Sequence, residues 1–299
     1  MVSIDGTKLT ASTLSTGWTV NEKTVGLTPV GLVCSQLPVY VGPSTIPAGS
    51  VISGKRFTSN VSLHLGNITI EKSCFQPSSV ARGSPIATTT NFGASPYPPT
   101  STKVIIRDSE FDGSLLSTEL AAFAVGFWGI ADLQRNYVHH LGGGLALYNT
   151  GTQLDSLVEH NYVTRMIAWG NAATTGNHID AFTIRDFTAA QKPTRKAIVR
   201  NNRFDATAPS NVTGAFFIQP LWERIDNVYI EGNLLEGGGF NLALEQKSGY
   251  KNINATNNRF NPTGYGATYT DGGEGWTTWR DNYRYDPTKI DAKGTVVNP

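Results

Sequence analysis

Charge is scarce in this sequence: 16% of its 299 residues are Asp, Glu, Lys or Arg, and the formal net charge is +1. Binding a phosphate backbone needs Lys and Arg concentrated on one surface, so nucleic acid is not an expected partner. A strongly polyanionic ligand is disfavoured on the same ground unless Lys and Arg gather locally. No apolar run approaches about 18 residues, which argues against a membrane-spanning helix and against membrane insertion. The opening "MVSIDGTKLT" lacks the basic-then-apolar layout of a secretion signal. Cysteine is rarer still, with only Cys34 and Cys74. Two readings stay open for that pair: two buried free thiols, or one disulfide tying the N-terminal segment to the first repeats. No Cys/His spacing suggests zinc, and no metal site is expected.

Sustained helical spacing is also missing. Short repetition stands in its place. "AIVRNNRF" (residues 197–204) and "INATNNRF" (253–260) are nearly the same octad, and related octads end at Phe75, Phe111, Val138, Val163, Leu235 and Arg284. Their sixth letters are Ser73, Ser109, Asn136, Asn161, Asn202, Asn233, Asn258 and Asn282, which gives a basic period of about 25 residues with three insertions. A period of that size signals a repeat architecture, in which each unit buries its apolar face only against its neighbours. Within each octad, apolar letters alternate with polar ones, which is the pattern of a half-buried strand. The Asn at the sixth letter tolerates left-handed backbone and is expected to make the turn. Most repeats then carry a second alternating run: "GLALYN", "AFTIRD", "AFFIQP", "NLALEQ" and "GATYTD". The expected fold is all-β, a parallel solenoid of about eight to ten coils with an Asn ladder along one corner.

These octads, over residues 51–285, resemble the right-handed parallel β-helix superfamily of pectate-lyase-like enzymes and phage tailspikes. The resemblance implies one elongated domain, with residues 1–50 as an N-terminal cap and 286–299 as a C-terminal tail. It also implies an extracellular or virion location. The family's hosts include lyases, hydrolases, adhesins and virion proteins, so function must be argued from a site. Neither a polygalacturonase-like pair of aspartates nor a pectate-lyase-like WIDH stretch is present.

Aligning the second runs by their apolar letters places Tyr148, Arg185, Gln219, Glu245 and Thr270 in one outward row, with Ala146, Thr183, Phe217, Ala243 and Thr268 beside it. Arg185 and Glu245 would stand roughly 10 Å apart across two coils. Planar polar groups beside rings suit a saccharide, so a polysaccharide or cell-surface glycan is the expected ligand. The longest insertion, residues 165–178, would overhang this row and offer Trp169 as a stacking wall. "GNHIDAFTIRDF" (176–187) resembles the H-x-D-G segment of some carbohydrate-active β-helices, with Ala181 where Gly is usual, and brings in His178 and Asp180. Strict alternation from Ile184 turns Asp180 inward, where it caps a turn; a break in alternation would turn it to the groove. In that case Glu245 and Asp180 are the candidate acid/base pair of a hydrolase, with Arg185 orienting the substrate. For a lyase, Lys247 and Arg185 would neutralise a uronate. "TDGGEG" (270–275) reads as a Gly-rich turn or as a Ca²⁺ site through Asp271 and Glu274; no cofactor is otherwise expected. His139 and His140 are expected in a turn. A non-catalytic glycan binder, and a structural virion protein in a homo-oligomer or virion assembly, are the alternatives to an enzyme.

Overall fold

The computed structural model describes residues 15–94, 100–148, 154–186 and 192–299. Three sheets form, and successive coils contribute one strand to each of them, except the last coil, which adds none to the third. The first half of every octad enters a nine-stranded sheet, from Val51–Ser53 through Ala197–Arg200 to Thr278–Arg280. The end of every octad enters a ten-stranded sheet, and the second alternating runs make an eight-stranded one. All paired strands are parallel except the last pair of the ten-stranded sheet. The octads stack letter on letter: Ile70, Ile106, Leu133, Val158, Val199, Ile230 and Ala255 are successive register partners. All seven are buried. The chain is thus an all-β, mostly parallel solenoid with its core inside the coils. Identical positions stack on one another, as with Phe57, Phe75 and Phe111, whose ring centroids lie 4.8 and 4.4 Å apart.

The corner after the first strand differs from expectation in one letter. The left-handed residue is the fifth of the octad, not the Asn: Lys72, Asp108, Arg135, His160, Asn201, Asn257 and Asp281 have φ between 50° and 56°, and Gly232 has 66°. That residue points outward, which frees the sixth to turn into the coil. There Asn136, Asn161, Asn202, Asn233, Asn258 and Asn282 are buried. Each backbone N–H from Asn136 to Asn258 donates to the Oδ1 of the next Asn at 2.9–3.0 Å. Each side-chain amide donates to that same oxygen and to a strand carbonyl, as Asn202 does to Val158. The ladder satisfies backbone groups that the sharp corner takes out of the sheets.

Residues 1–50 were expected to cap the open end. Residues 1–14 lie outside the described ones. Val39 bridges to Arg56 and Thr45 to Ser62, so this short piece forms a partial first coil over Phe57. Residues 15–37 instead run back along the outside of the ten-stranded sheet. Gly17 N–H donates to Gly232 O (2.7 Å), Gly26 N–H to Arg135 O (2.8 Å), and Glu22 pairs with Arg165 (2.7 Å). Trp18 lies on the buried Arg259 guanidinium, 4.1 Å from the ring centroid. Cys34 and Cys74 are disulfide-bonded, with Cα atoms 5.4 Å apart. The strap is held down by apolar burial as well: Val20, Val25 and Tyr137 bury one another beneath it.

At the other end the tail folds back over the last coil. Lys293–Val296 pairs antiparallel with Tyr283–Tyr285, and Val297 N–H donates to Asn282 O. One α-helix occurs among the described residues, Thr118–Phe123, capped by the Ser117 hydroxyl. It had no counterpart in the octad reading, and it stands beside the site.

Candidate functional site

The site lies on the outer face of the eight-stranded sheet. Register partners across its strands run Val125, Gly143, Asp180, Gly214, Phe240, Gly266. Asp180 does not turn inward. Ala181 and Phe182 are both fully buried, so two successive residues point into the coil and alternation slips by one. Asp180 then faces out with Thr183 and Arg185. The slip requires small residues at its inner position: Gly126, Gly144, Ala181 and Ala215 stack there, and a Cβ on Gly144 would lie 2.1 Å from Ala181 O. Glycine on both sides of Asp180, at Gly143 and Gly214, leaves its carboxyl at the base of a cavity of about 180 Å³. That is below the ~300–1,000 Å³ of a site engulfing a whole small ligand. It suits one unit of a longer ligand.

His178, Asp180, Arg185 and Gln219, four of the candidate site residues, line this cavity together. Its walls are aromatic, from the strands of the sheet and from the helix Thr118–Phe123. Trp128 packs edge-on against Tyr148 (5.0 Å between centroids), and Arg185 sits between Tyr148 and Trp222 at 6.0 and 5.9 Å. Phe123, from the helix, meets Trp169 at 5.9 Å on one side and the Arg82 guanidinium at 3.4 Å on the other. Asn177 locks the wall: its side-chain amide donates to Ala122 O and Ile167 O, both at 2.9 Å, and its oxygen accepts from Trp169 N–H at 2.8 Å. Trp169 therefore backs the wall rather than forming its face. His178 is exposed at the rim, its Nδ1 3.3 Å from Thr213 Oγ1.

Burial pushes the Asp180 carboxyl up to about 7; the Gly214 backbone amide and Arg185 pull against this, and the charge of Glu245 adds to it. Its buried Oδ1 and the Arg185 Nε have no hydrogen-bond partner. An acid held half-protonated near neutrality, with a lone pair to spare, is equipped to exchange a proton with a ligand.

Glu245 continues the Arg185–Gln219 row, since Ile218 pairs with Leu244 and Glu245 N–H donates to Ile218 O. It does not line the cavity, and neither does the exposed Lys247. The last strand is one residue out of the expected alignment. Thr270 pairs with the inward Leu244 and Tyr269 with Ala243, so Tyr269 replaces Thr268 on the outer face. The consequence is a ring cluster missed by the sequence reading. Phe240, two coils from Asp180 in the same column, stacks on Tyr269 at 5.1 Å and meets the exposed Tyr265 at 5.6 Å.

The expected Ca²⁺ ligands Asp271 and Glu274 are both exposed, on a turn held by Tyr250 Oη to Gly272 O and Gly275 N–H. Among the described residues, the group of metal-ligating side chains that converges is Asp112, His139 and His140, within 4.8 Å of one another. Burial raises the Asp112 carboxyl, but the His139 charge and hydrogen bonds from Ser114 and Gln76 outweigh it and hold it below the usual range. Compared with known proteins, the chain matches no family model, no curated protein and no solved structure.

Proposed function

We propose that this protein is a right-handed parallel β-helix that binds a polysaccharide along the outer face of its eight-stranded sheet and cleaves it at Asp180. The observation that carries the reading is the Asp180 carboxyl, raised to about 7 with an unpartnered oxygen, at the base of a cavity walled by rings. A glycan running along the solenoid axis would place one unit over Asp180 and stack another on Phe240 and Tyr265, two coils or roughly 10 Å away. Both faces of such a unit are served, by Trp128 and Phe123 as apolar walls and by Arg185, Gln219 and His178 as polar anchors.

Among the described lining residues Asp180 is the sole carboxylate. Hydrolysis by inversion or retention uses two carboxyl groups about 5–10 Å apart across the bond. Glu245 lies outside the cavity and adds only to the raised proton affinity of Asp180. A single carboxyl that is a strong base when ionised is best suited to β-elimination from a uronate, which needs one base rather than two carboxyls. Arg185 pairs with the uronate carboxylate, Asp180 in its ionised form takes the proton α to it, the C–O bond to the neighbouring sugar breaks, a C=C bond forms, and the leaving oxygen takes a proton from His178 or water. The Cys34–Cys74 disulfide fits an extracellular or virion-borne destination, where oxidising conditions persist.

A panel of neutral and uronate-containing polysaccharides, assayed for binding and then for products, tests this. The expected result is an unsaturated end group from a uronate polymer, lost in Asp180→Asn with binding kept, and both weakened in Arg185→Ala. Saturated reducing ends would replace elimination by hydrolysis, and binding without products by any polymer would leave a glycan-binding protein. If no polysaccharide binds, the assignment fails and a structural virion role takes its place.

A further inference from the structure

Asp112 and His139 belong to the ten-stranded sheet, His140 follows it, and none of the three lines the Asp180 cavity. Asp112 ends the strand Glu110–Asp112, and His139 ends Tyr137–His139 one coil further on, directly beside it in register. Adjacent residues in a strand point to opposite faces. His140 escapes that rule because its φ is 57°, which swings its ring to the side of His139. The result is a convergence of three lone-pair atoms: His139 Nδ1 lies 2.6 Å from His140 Nδ1 and 3.4 Å from Asp112 Oδ1, and His140 Nδ1 lies 3.7 Å from that oxygen.

The surroundings orient each ligand. Glu110 Oε1 is 2.8 Å from His139 Nε2, so that nitrogen carries the proton and Nδ1 presents its lone pair inward. Asp112 is held by Ser114 N–H on Oδ1, and by the Ser114 hydroxyl and the Gln76 amide on Oδ2. A carboxylate behind a histidine and donors behind a carboxylate are the outer-shell partners that metal ligands require. The nearby Arg165 guanidinium is already paired with Glu22. Without an ion, the one proton available between the three atoms, on His140 Nδ1, must serve two acceptors. We infer that this triad is a binding site for a first-row divalent cation, zinc foremost, held by His139 Nδ1, His140 Nδ1 and Asp112 Oδ1.

Two imidazoles and a carboxylate with a remaining position for water are a zinc donor set, and ligand atoms about 2.0–2.1 Å from a tetrahedral ion lie roughly 3.3 Å apart. Two of the three separations are already near that value. The third must open from 2.6 Å, and His140, whose side chain is 34% exposed, has the freedom to do so. On binding, His140 moves its proton to Nε2, or releases it, and no other group need change.

Zinc titration of the chelator-treated protein by calorimetry, and cobalt titration followed by visible absorption, test the site. One ion per chain is expected with a dissociation constant in the micromolar range or tighter, and cobalt should give the visible bands of a four- or five-coordinate nitrogen-ligated ion. His140→Asn keeps a residue that tolerates the left-handed corner, so its fold and apo melting temperature should be retained. It should nevertheless lose at least about 100-fold in affinity, and Glu110→Gln about 10–100-fold through His139 alone. The inference is overturned if no ion binds, if His140→Asn binds as the parent does, or if the exposed His178→Asn removes the binding instead.

Discussion

A carboxylate that must lose its proton inside a protein records its cost in the pH dependence of stability. Asp180 is raised from 3.8 to about 7, so between those values the folded state binds more protons than the unfolded one. Stability therefore falls as pH rises from about 4 to about 7 and levels off above, by up to about 4 kcal/mol, because each tenfold change in proton affinity is worth about 1.36 kcal/mol. Asp180→Asn removes that dependence while keeping the shape. The variant is expected to melt at the same temperature as the parent near pH 4 and clearly higher at pH 8. Equal melting temperatures at both would show that Asp180 titrates like a solvated acid. The chemistry of this residue was visible in "HID", yet its direction was not, because alternation counted from Ile184 has no way to register the doubled inward pair at Ala181 and Phe182. The signal that could have found it is a small residue ahead of each inward apolar one: Gly126, Gly144, Ala181 and Ala215. His139 and His140 were legible only as a turn, since nothing in the letters says that a left-handed His140 faces the same way as its neighbour.

At the level of the strand, the eight-stranded sheet spends its outer column on function. Gly143 and Gly214 flank Asp180 where the neighbouring coils could carry β-branched residues, and glycine within a strand costs about 0.5–1 kcal/mol. Gly214 has ordinary backbone, and a Cβ there would meet Phe217 Cβ at 3.5 Å and Asp180 Oδ1 at 3.6 Å, both normal contacts. Gly214→Val should fold with unchanged or slightly higher stability, within about 1 kcal/mol, and lay two methyl groups over the carboxyl. Glycan affinity should drop at least about tenfold, measured by calorimetry beside a thermal melt. Retained affinity would move the binding face elsewhere. The octads predicted the first two sheets well because both the alternation and the buried corner Asn repeat with them. The third sheet was read correctly for four strands and slipped at "GATYTD", where no bulky inward residue fixes the register: Thr268 and Thr270 stand where the other coils have Leu, Phe or Ile. Tyr265 and Tyr269 were hidden by that slip.

For the molecule as a whole, a solenoid is stabilised coil by coil, each against its neighbours, so its two ends decide how it fails. Each last coil has strand edges with no partner, and such edges recruit other chains. One end is covered by residues 39–46 and pinned by the disulfide, while the strap of residues 15–37 ties several coils together lengthwise. The other end depends on the tail. Lys293–Val296 occupies the edge of Tyr283–Tyr285, Val297 O accepts from the Trp279 indole at 2.7 Å, and Asp291 O accepts from the fully buried Arg259 at 2.8 Å. Removing residues 286–299 would strip a donor–acceptor partner from Asn282, from Trp279 and from Arg259 at once, and a buried polar group left unpaired costs about 1–3 kcal/mol. The sheets pass contacts between neighbouring coils, and the lengthwise strap meets the ten-stranded sheet rather than the face that carries Asp180, so the damage should stay near the end and binding of a glycan at Asp180 should survive. The shortened chain is expected to melt several degrees lower and to associate with rising concentration in light scattering, with the parent's glycan affinity when monomeric. A shortened chain that stays monodisperse at the parent's melting temperature would mean that the last coil closes itself and the tail contributes nothing to the end.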